Sequence, residues 1–392
     1  MISSRSCSNR LLALLPLVLL ILAAGCARLP VEAVPPSGPL VAVYPMEDLS
    51  GTDAPLAAMR SGITERLRQS GVRIMDEADL RRFMEQQRIR YTGGLDLETS
   101  AAFKAKAGVD AVLIMSLEYY SDVSPPKVSL IARLVATGEK PEILWMDSVG
   151  MAGDDAPGIL GIGIVEDPSV LWNRALDRLS GSLLRKLAGE ETPPSDWEGR
   201  FRPKEAYRFM ELDPKRRYSV AVLPFFNESE RTYAGEIMVL HVVKQLVSSK
   251  AFAVLEPGVI RGKMLAMRII MQNGISLPAA DLLANNLETD FILTGRVFEY
   301  RDLPSGSGKP RVDFSLQLLE RSSKMVIWAT KSRNTGDDGV FFYDWRRVST
   351  ANALTEGMMR AFLGVMVEDT AQVKMTPPRM SPEELERILM SP

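Results

Sequence analysis

Short apolar runs alternate with longer amphipathic stretches along this chain. Leu40 to Tyr44 has the length and apolar character of a buried strand. Leu56, Met59, Ile63 and Leu67 follow at helical spacing, which predicts a helix with one apolar stripe. Val72 to Met75, after a turn at Gly71, predicts a second strand. Leu80, Phe83 and Met84 predict a second helix, and Ala101 to Ala107 a third. Asp110 to Leu117 predicts a third strand, and Val128 to Val135 and Ile143 to Val149 predict two more around a Gly-Glu-Lys-Pro turn. A closing helix carries Trp172, Leu176, Leu179, Leu183 and Leu187 on one face. Strands that alternate with helices imply parallel pairing for the first three, and the last two read as an antiparallel hairpin. The predicted unit is therefore an α/β layered domain, a mixed sheet packed with helices.

The plan is then written a second time. Val41-Ala42-Val43-Tyr44-Pro45 recurs as Val220-Ala221-Val222-Leu223-Pro224, and Asp110-Ala111-Val112-Leu113-Ile114 as Asp290-Phe291-Ile292-Leu293-Thr294. Ile143-Leu144-Trp145 recurs as Val326-Ile327-Trp328, and Gly153-Asp154-Asp155 as Gly336-Asp337-Asp338. Four matches in one order predict tandem copies of one domain, over 38–189 and 217–368. The second copy shows helical stripes at Tyr233, Ile237, Leu240, Val243 and Val247, at Ile260, Met264, Met267 and Met271, and at Val348, Ala351, Leu354, Met358 and Phe362. Each copy is expected to bury a core of its own. Residues 190–216, rich in Pro and charge, read as a linker, with Trp197, Phe201, Tyr207 and Phe209 able to dock it onto a domain.

The beginning of the chain carries a different pattern. Arg5 and Arg10 precede an apolar run from Leu11 to Ala24, interrupted by Pro16 and followed by Gly25-Cys26. A charged start, an apolar middle and small residues make a secretory signal. Leu22-Ala23-Ala24-Gly25-Cys26 resembles the lipobox of bacterial lipoproteins. The resemblance implies removal of residues 1–25, lipid on Cys26, and a Pro-rich tether over 26–37. Ala27 and Arg28 follow the cysteine, and neither is the aspartate that holds Gram-negative lipoproteins at the inner membrane. The expected location is therefore the periplasmic face of the outer membrane. No other apolar run approaches bilayer length.

Charge and cysteine usage narrow the chemistry. The chain has 47 basic and 49 acidic residues, and losing Arg5 and Arg10 leaves it more acidic still. That balance argues against a nucleic-acid partner. Of the 2 cysteines, Cys7 leaves with the signal and Cys26 takes lipid, so the folded part has no disulfide, thiolate metal site or thiol nucleophile. His241, the only histidine, stands between Leu240 and Val242 on an apolar helix. Alone, it cannot build a histidine-rich metal site, its apolar helix gives no support for a Ser-His-Asp triad, and it reads as a hydrogen-bonded structural residue. No cofactor is expected.

Three features keep two readings each. The repeated Gly-Asp-Asp reads first as a structural turn, and second as a cation site through Asp154, Asp155, Asp337 and Asp338. Ile159, Leu160 and Ile162 sit in a Gly-rich loop that either tucks under the closing helix or contacts a partner or the lipid surface. In the tail, 369–392, Ser381-Pro382-Glu383-Glu384 forms a capping box ahead of Leu385, Ile388 and Leu389. That short helix either folds back on the second domain or docks on a partner. Ser305-Gly306-Ser307-Gly308-Lys309-Pro310 lacks the glycine and the Ser or Thr of a phosphate loop, and reads as a hairpin turn.

Val-Ala-Val-x-Pro, a long helix, a strand ending Met75-Asp76 or Leu255-Glu256, and a strand beginning Asp110-Ala-Val-Leu or Asp290-Phe-Ile-Leu-Thr-Gly together resemble one periplasmic α/β domain. It is the domain of the curli-secretion lipoprotein CsgG, of LpoB-like activators of penicillin-binding proteins, and of the amino-terminal part of TolB. The resemblance covers both copies and rests on core strand residues, so it speaks for fold more than function. It implies a non-enzymatic, lipid-anchored envelope protein that acts by binding other envelope or secretion proteins as a scaffold or assembly factor, with homo-oligomers as a further possibility. An alternative is a subunit of a CsgG-like oligomeric export channel, although no extra hairpin of membrane-spanning length stands out. A weaker alternative is a cation-dependent binding protein using the Gly-Asp-Asp loops.

Overall fold

In the first half of the chain, β1 (Leu40–Val43) and β2 (Glu47–Asp48) lead into α1 (Leu56–Gln69), whose Met59, Ile63 and Leu67 are buried. Then come β3 (Arg73–Ile74), α2 (Glu77–Gln87) and α3 (Leu97–Ala107). Asp76 and Asp96 cap the two helices by accepting backbone N–H bonds from Ala78 and Thr99, as N-cap carboxylates do. The long strands β4 (Ala111–Ser121), β5 (Lys127–Ala136) and β6 (Ile143–Ala152) precede α4 (Pro168–Leu187), which opens on Asp167 as cap and Pro168 in its first turn. These ranges come from a computed structural model that describes residues 38–156, 163–190, 200–213, 215–269, 277–306, 308–340 and 347–367.

The second half repeats the order with β8 (Tyr218–Val222), β9 (Phe226–Asn227), α5 (Ala234–Ser248), β10 (Phe252–Val254), α6 (Pro257–Ala266), α7 (Leu277–Leu287), β11 (Phe291–Arg301), β12 (Arg311–Glu320), β13 (Val326–Thr335) and α8 (Ala351–Val367). Strand β7 (Glu205–Arg208) comes before them. The first sheet runs β3-β1-β4-β5-β6, with β2 on β4, and the second runs β10-β8-β11-β12-β13-β7, with β9 on β11. In each sheet the first three positions are parallel and the hairpin is antiparallel. The duplication extends to irregularities. A β-bulge interrupts β4–β5 between Leu117 and Tyr119 and β11–β12 between Val297 and Glu299. A second interrupts β5–β6 after Leu134 and β12–β13 after Leu318.

The halves do not keep separate cores. Val41, Val43, Leu113, Leu130 and Leu134 pack one face of the first sheet against α1 and α4. Ala221, Leu223 and Ile292 pack the outer face of the second sheet against α6 and α7. The largest cluster draws on both: Ala42, Tyr44, Val112 and Ile131 from the first half, with Ile237, Val242, Phe314 and Phe362 from the second. Helices α5 and α8 pack on their own sheet and also on β6. Every residue of α5 from Ile237 to Leu246 is buried, as expected of a helix with a sheet on either side. From Pro39 the chain forms one compact unit.

Two further differences from the sequence pattern have physical causes. Part of the linker is a strand: β7 pairs antiparallel with β13, and Phe201 is fully buried against Gly357. The edge of β13 offers unpaired backbone groups, and the linker satisfies them. The Ile260–Met264 helix stops at Ala266, with Met267 as its cap and Arg268 at φ +54, while Met271 lies outside the described residues.

Candidate functional site

Helix α5 carries three buried polar side chains, His241, Lys244 and Gln245, of which His241 and Lys244 reach the first half. His241 Nε2 lies 3.1 Å from Glu118 Oε1, and Nδ1 lies 3.3 Å from Glu356 Oε1. Glu118 is the bulged residue of β4, and a bulge re-aims a side chain. Glu356 comes from α8. Lys244 Nζ is 2.8 Å from Glu356 Oε2 and 3.0 Å from Asp147 Oδ1 of β6, and it donates to Ser148 Oγ at 3.0 Å. Ser148 Oγ donates to Glu356 Oε1, Gln245 Nε2 to Glu356 Oε2, and Asn352 Nδ2 to Glu118 Oε2. The result is an alternating chain of charges that joins β4 and β6 of one half to α5 and α8 of the other.

Electrostatics follow from this packing. Burial would depress the His241 pKa, but the Glu118 and Glu356 carboxylates outweigh it and raise it to about 9. Burial likewise opposes ionisation of Glu356, yet Lys244 and His241 hold its pKa well below the usual carboxylate range. Lys244 is raised by Glu356 and Asp147 against its own desolvation. His241 is thus an imidazolium with a carboxylate facing each nitrogen.

Two more buried ion pairs cross the same boundary. Arg133 of β5 donates from Nε to Glu256 Oε2 at 3.0 Å and from Nη2 to Glu256 Oε1 at 2.9 Å and Gly93 O at 2.7 Å. Glu256 is also the cap of α6, and accepts from Leu95 N at 3.2 Å. Gly94 and Gly258 meet there, where a Cβ on Gly94 would lie 2.7 Å from Gly258 Cα. Lys127 Nζ lies 3.3 Å from Asp302 Oδ1 and donates to Ser349 O at 2.6 Å, while Asp302 accepts from Ala351 N at the start of α8. A cleft of about 410 Å³ opens above the His241 cluster, lined by Asp147, Lys244, Glu356, Arg178 and Arg360.

The repeated Gly-Asp-Asp sits at equivalent turns. A Cβ on Gly153 would lie 2.2 Å from Val165 O, and one on Gly336 would lie 2.2 Å from Val348 O. Gly153 N donates to Pro126 O and Gly336 N to Pro310 O. Asp155 accepts from Ala152 N, and burial raises its pKa. Asp338 accepts from Thr335 N and Oγ1 and from Asn334 Nδ2, bonds that overcome its burial and lower its pKa. Asp154 accepts from Ser305 Oγ, and Asp337 pairs with Lys309 and Arg347. The four carboxylates are split between two loops: Asp155 and Asp338 are engaged within their own turns, while Asp154 and Asp337 meet Ser305 and Lys309 of the β11–β12 loop. Among the described residues no group of three His, Cys, Asp or Glu side chains is placed to hold a metal ion.

Cys26, Ile159, Leu160, Ile162, Leu385, Ile388 and Leu389 lie outside the described residues. Sequence reasoning singled out His241 but missed its partners Glu118, Lys244 and Glu356, and the Arg133–Glu256 pair. The signal was present: Arg133 interrupts Leu130-Ile131-Ala132 and Leu134-Val135, and Lys244 follows Val242-Val243. A charge inside an apolar run needs a buried partner.

No family model and no curated protein matches this chain. Solved structures similar to it include the PelC dodecamer from Paraburkholderia phytofirmans, 18% identical over 40% of this chain and 96% of that one, at TM-score 0.28. Lipoprotein GNA1162 from Neisseria meningitidis is 19% identical over 39% of this chain and 99% of its own, at TM-score 0.28. The LpoB C-terminal domain from Escherichia coli is 14% identical over 30% of this chain and 82% of its own, at TM-score 0.23. Among the described residues no helix is long and apolar enough to cross a membrane.

Proposed function

We propose that this protein is a non-enzymatic, lipid-anchored periplasmic scaffold of the bacterial cell envelope, built from two copies of one domain at 38–189 and 217–368. The observation that carries this reading is the ionic seam between the two halves. Its one histidine faces a carboxylate at each nitrogen, and its ion pairs fix two copies of a domain at one relative orientation. A seam so buried suits a rigid body that presents surfaces to other proteins. The lipobox at Cys26 supports attachment to a membrane, and Ala27-Arg28 supports sorting to the outer membrane. The likeness to CsgG and TolB rests on the strand motifs of the sequence.

Crosslinking in intact cells, followed by purification of the lipidated protein and mass spectrometry, tests the reading. A defined set of envelope proteins with little self-association is the expected result. A large homo-oligomer embedded in the membrane without stable partners would replace the scaffold by a channel subunit. A Cys26→Ser chain that still fractionates with the outer membrane would remove the lipid anchor.

A further inference from the structure

The duplication leaves one strand edge uncovered. In the second sheet β13 lies between β12 and β7, so both of its edges are paired. In the first sheet, among the described residues, β6 pairs with β5 alone. The matched tryptophans Trp145 and Trp328 set the two strands in register. Residues 145–148 of β6 therefore correspond to residues 328–331 of β13, the stretch that β7 covers. Ser148 N donates to the carboxylate of Asp147, and Ala152 N to that of Asp155. Backbone groups alternate sides along an antiparallel strand, so the N–H groups of Met146 and Gly150 face the same open side. An edge of this kind is a template for one more strand.

The open edge lies along the cleft of about 410 Å³. Its lining takes four consecutive residues of β6, Asp147 to Gly150, with α4 as one wall and α8 as the other. Gly181 leaves the α4 wall open, since a Cβ there would meet nothing within 4 Å. In the second half Arg208 of β7 donates to Val365 O and Met366 O near the end of α8. Counted from the tryptophans, Ser182 of α4 stands where Val365 stands in α8, and Ser182 lines the cleft. The acidic side chains of the cleft are all engaged: Asp177 by Arg66 at 2.6 Å, and Asp147 and Glu356 by Lys244 at 3.0 and 2.8 Å. Arg360 reaches Glu356 at 3.5 Å. Arg178 and Arg185 share one face of α4, are exposed, and make no ion pair among the described residues. A strand laid along β6 passes these two uncompensated cations, and opposite charge on the strand is what complements them.

We propose that the open edge of β6 is a docking site for an extended acidic segment of another protein, which adds to the sheet as an antiparallel strand in the way β7 adds to β13. In the scaffold reading, on which this rests, the edge is where a partner engages the first half. The test uses the chain from residue 27 onward, which keeps the whole compact unit. The probe is a short labelled peptide of alternating valine and glutamate, with a valine–lysine peptide as control. Binding of the glutamate peptide alone is expected, with slower amide exchange at Met146 and Gly150 once it is bound. R178E/R185E should weaken binding at least about tenfold, because reversal turns two attractions into repulsions. R90E/R311E, the same change in net charge away from the cleft, should leave it within about twofold. Equal loss in both variants, or binding without protection of those two amides, overturns the inference. So does protection already present in the free, dilute protein, which would mean that the chain covers its own edge, or protection that grows with protein concentration, which would mean a second copy. Thermal melts of both variants establish that each is folded. Should the peptide fail to bind while crosslinking in cells still recovers envelope proteins, the edge is not their site and the scaffold stands. Should it bind while crosslinking recovers none, the scaffold falls and the strand site remains.

Discussion

His241 is fully buried between Glu118 of β4 and Glu356 of α8, with Lys244 of its own helix on the same carboxylate and Asn352 on the other. Its folded pKa of about 9 lies above the 6.5 of an unperturbed histidine. A raised pKa means that the folded state holds the proton more tightly. The stabilisation is therefore complete below pH about 6.5 and lost as pH rises through about 9. It is on the order of 3 kcal/mol. Glu356 is depressed, so its contribution is present above the ordinary carboxylate range and is lost as pH falls through its folded value. Urea melts from pH 5 to pH 10 should show stability declining on the alkaline limb. His241→Gln should be less stable at pH 6 by about 3 kcal/mol and should flatten that limb. An unchanged limb in the variant would mean that another group sets it.

At the scale of elements, the repeat shows how one helix is adapted to two environments. Gly71 and Lys250 both take left-handed φ just beyond α1 and α5. Counting back equally from each places Gly62 and Glu65 in α1 where His241 and Lys244 stand in α5. In α1 Gly62 lies against Leu176 and Trp172 of α4 and Glu65 is exposed, while α5 has a second sheet on that flank. The Arg133–Glu256 pair does comparable work between β5 and α6. Removing one partner leaves a buried charge alone, so Arg133→Met should destabilise by about 3–5 kcal/mol. In Arg133→Met/Glu256→Met both charges are gone, and the expected loss falls to about 1 kcal/mol, mainly that of the α6 cap. A double-mutant cycle from denaturant unfolding measures the coupling, and additive losses would show that the two side chains do not interact.

For the whole molecule, the shared core and three buried ion-pair sites predict that the halves unfold together. Helix α5 stripped of the first half would expose His241, Lys244 and an apolar flank to water. Calorimetry should show one transition whose calorimetric and van't Hoff enthalpies agree, as for a single cooperative unit. Two resolved transitions, one for each half, would mean that each sheet holds its own helices without help. The same continuity suits a scaffold, because a partner bound to one half meets the other at a fixed distance.

The sequence determined most of the elements and their pairing type. Apolar periodicity over Leu40–Val43, Leu56–Leu67 and Trp172–Leu187 marks strand and helix faces, because burial on one side forces period two or period 3.6. Duplication of Gly153 and Gly336 signalled equivalent turns, and both have a carbonyl where a Cβ would go. The near-uniform apolarity around His241 showed that the helix was buried, but not by what. Strand order, the recruitment of Glu205–Arg208 as an edge strand, and the meeting of Glu118 with His241 and Glu356 were decided only by the tertiary structure. Periodicity reports how far a residue is buried against its own neighbours in sequence. Which distant charge neutralises a buried one depends on how two sheets are set around a common layer of helices, and no local pattern carries that information.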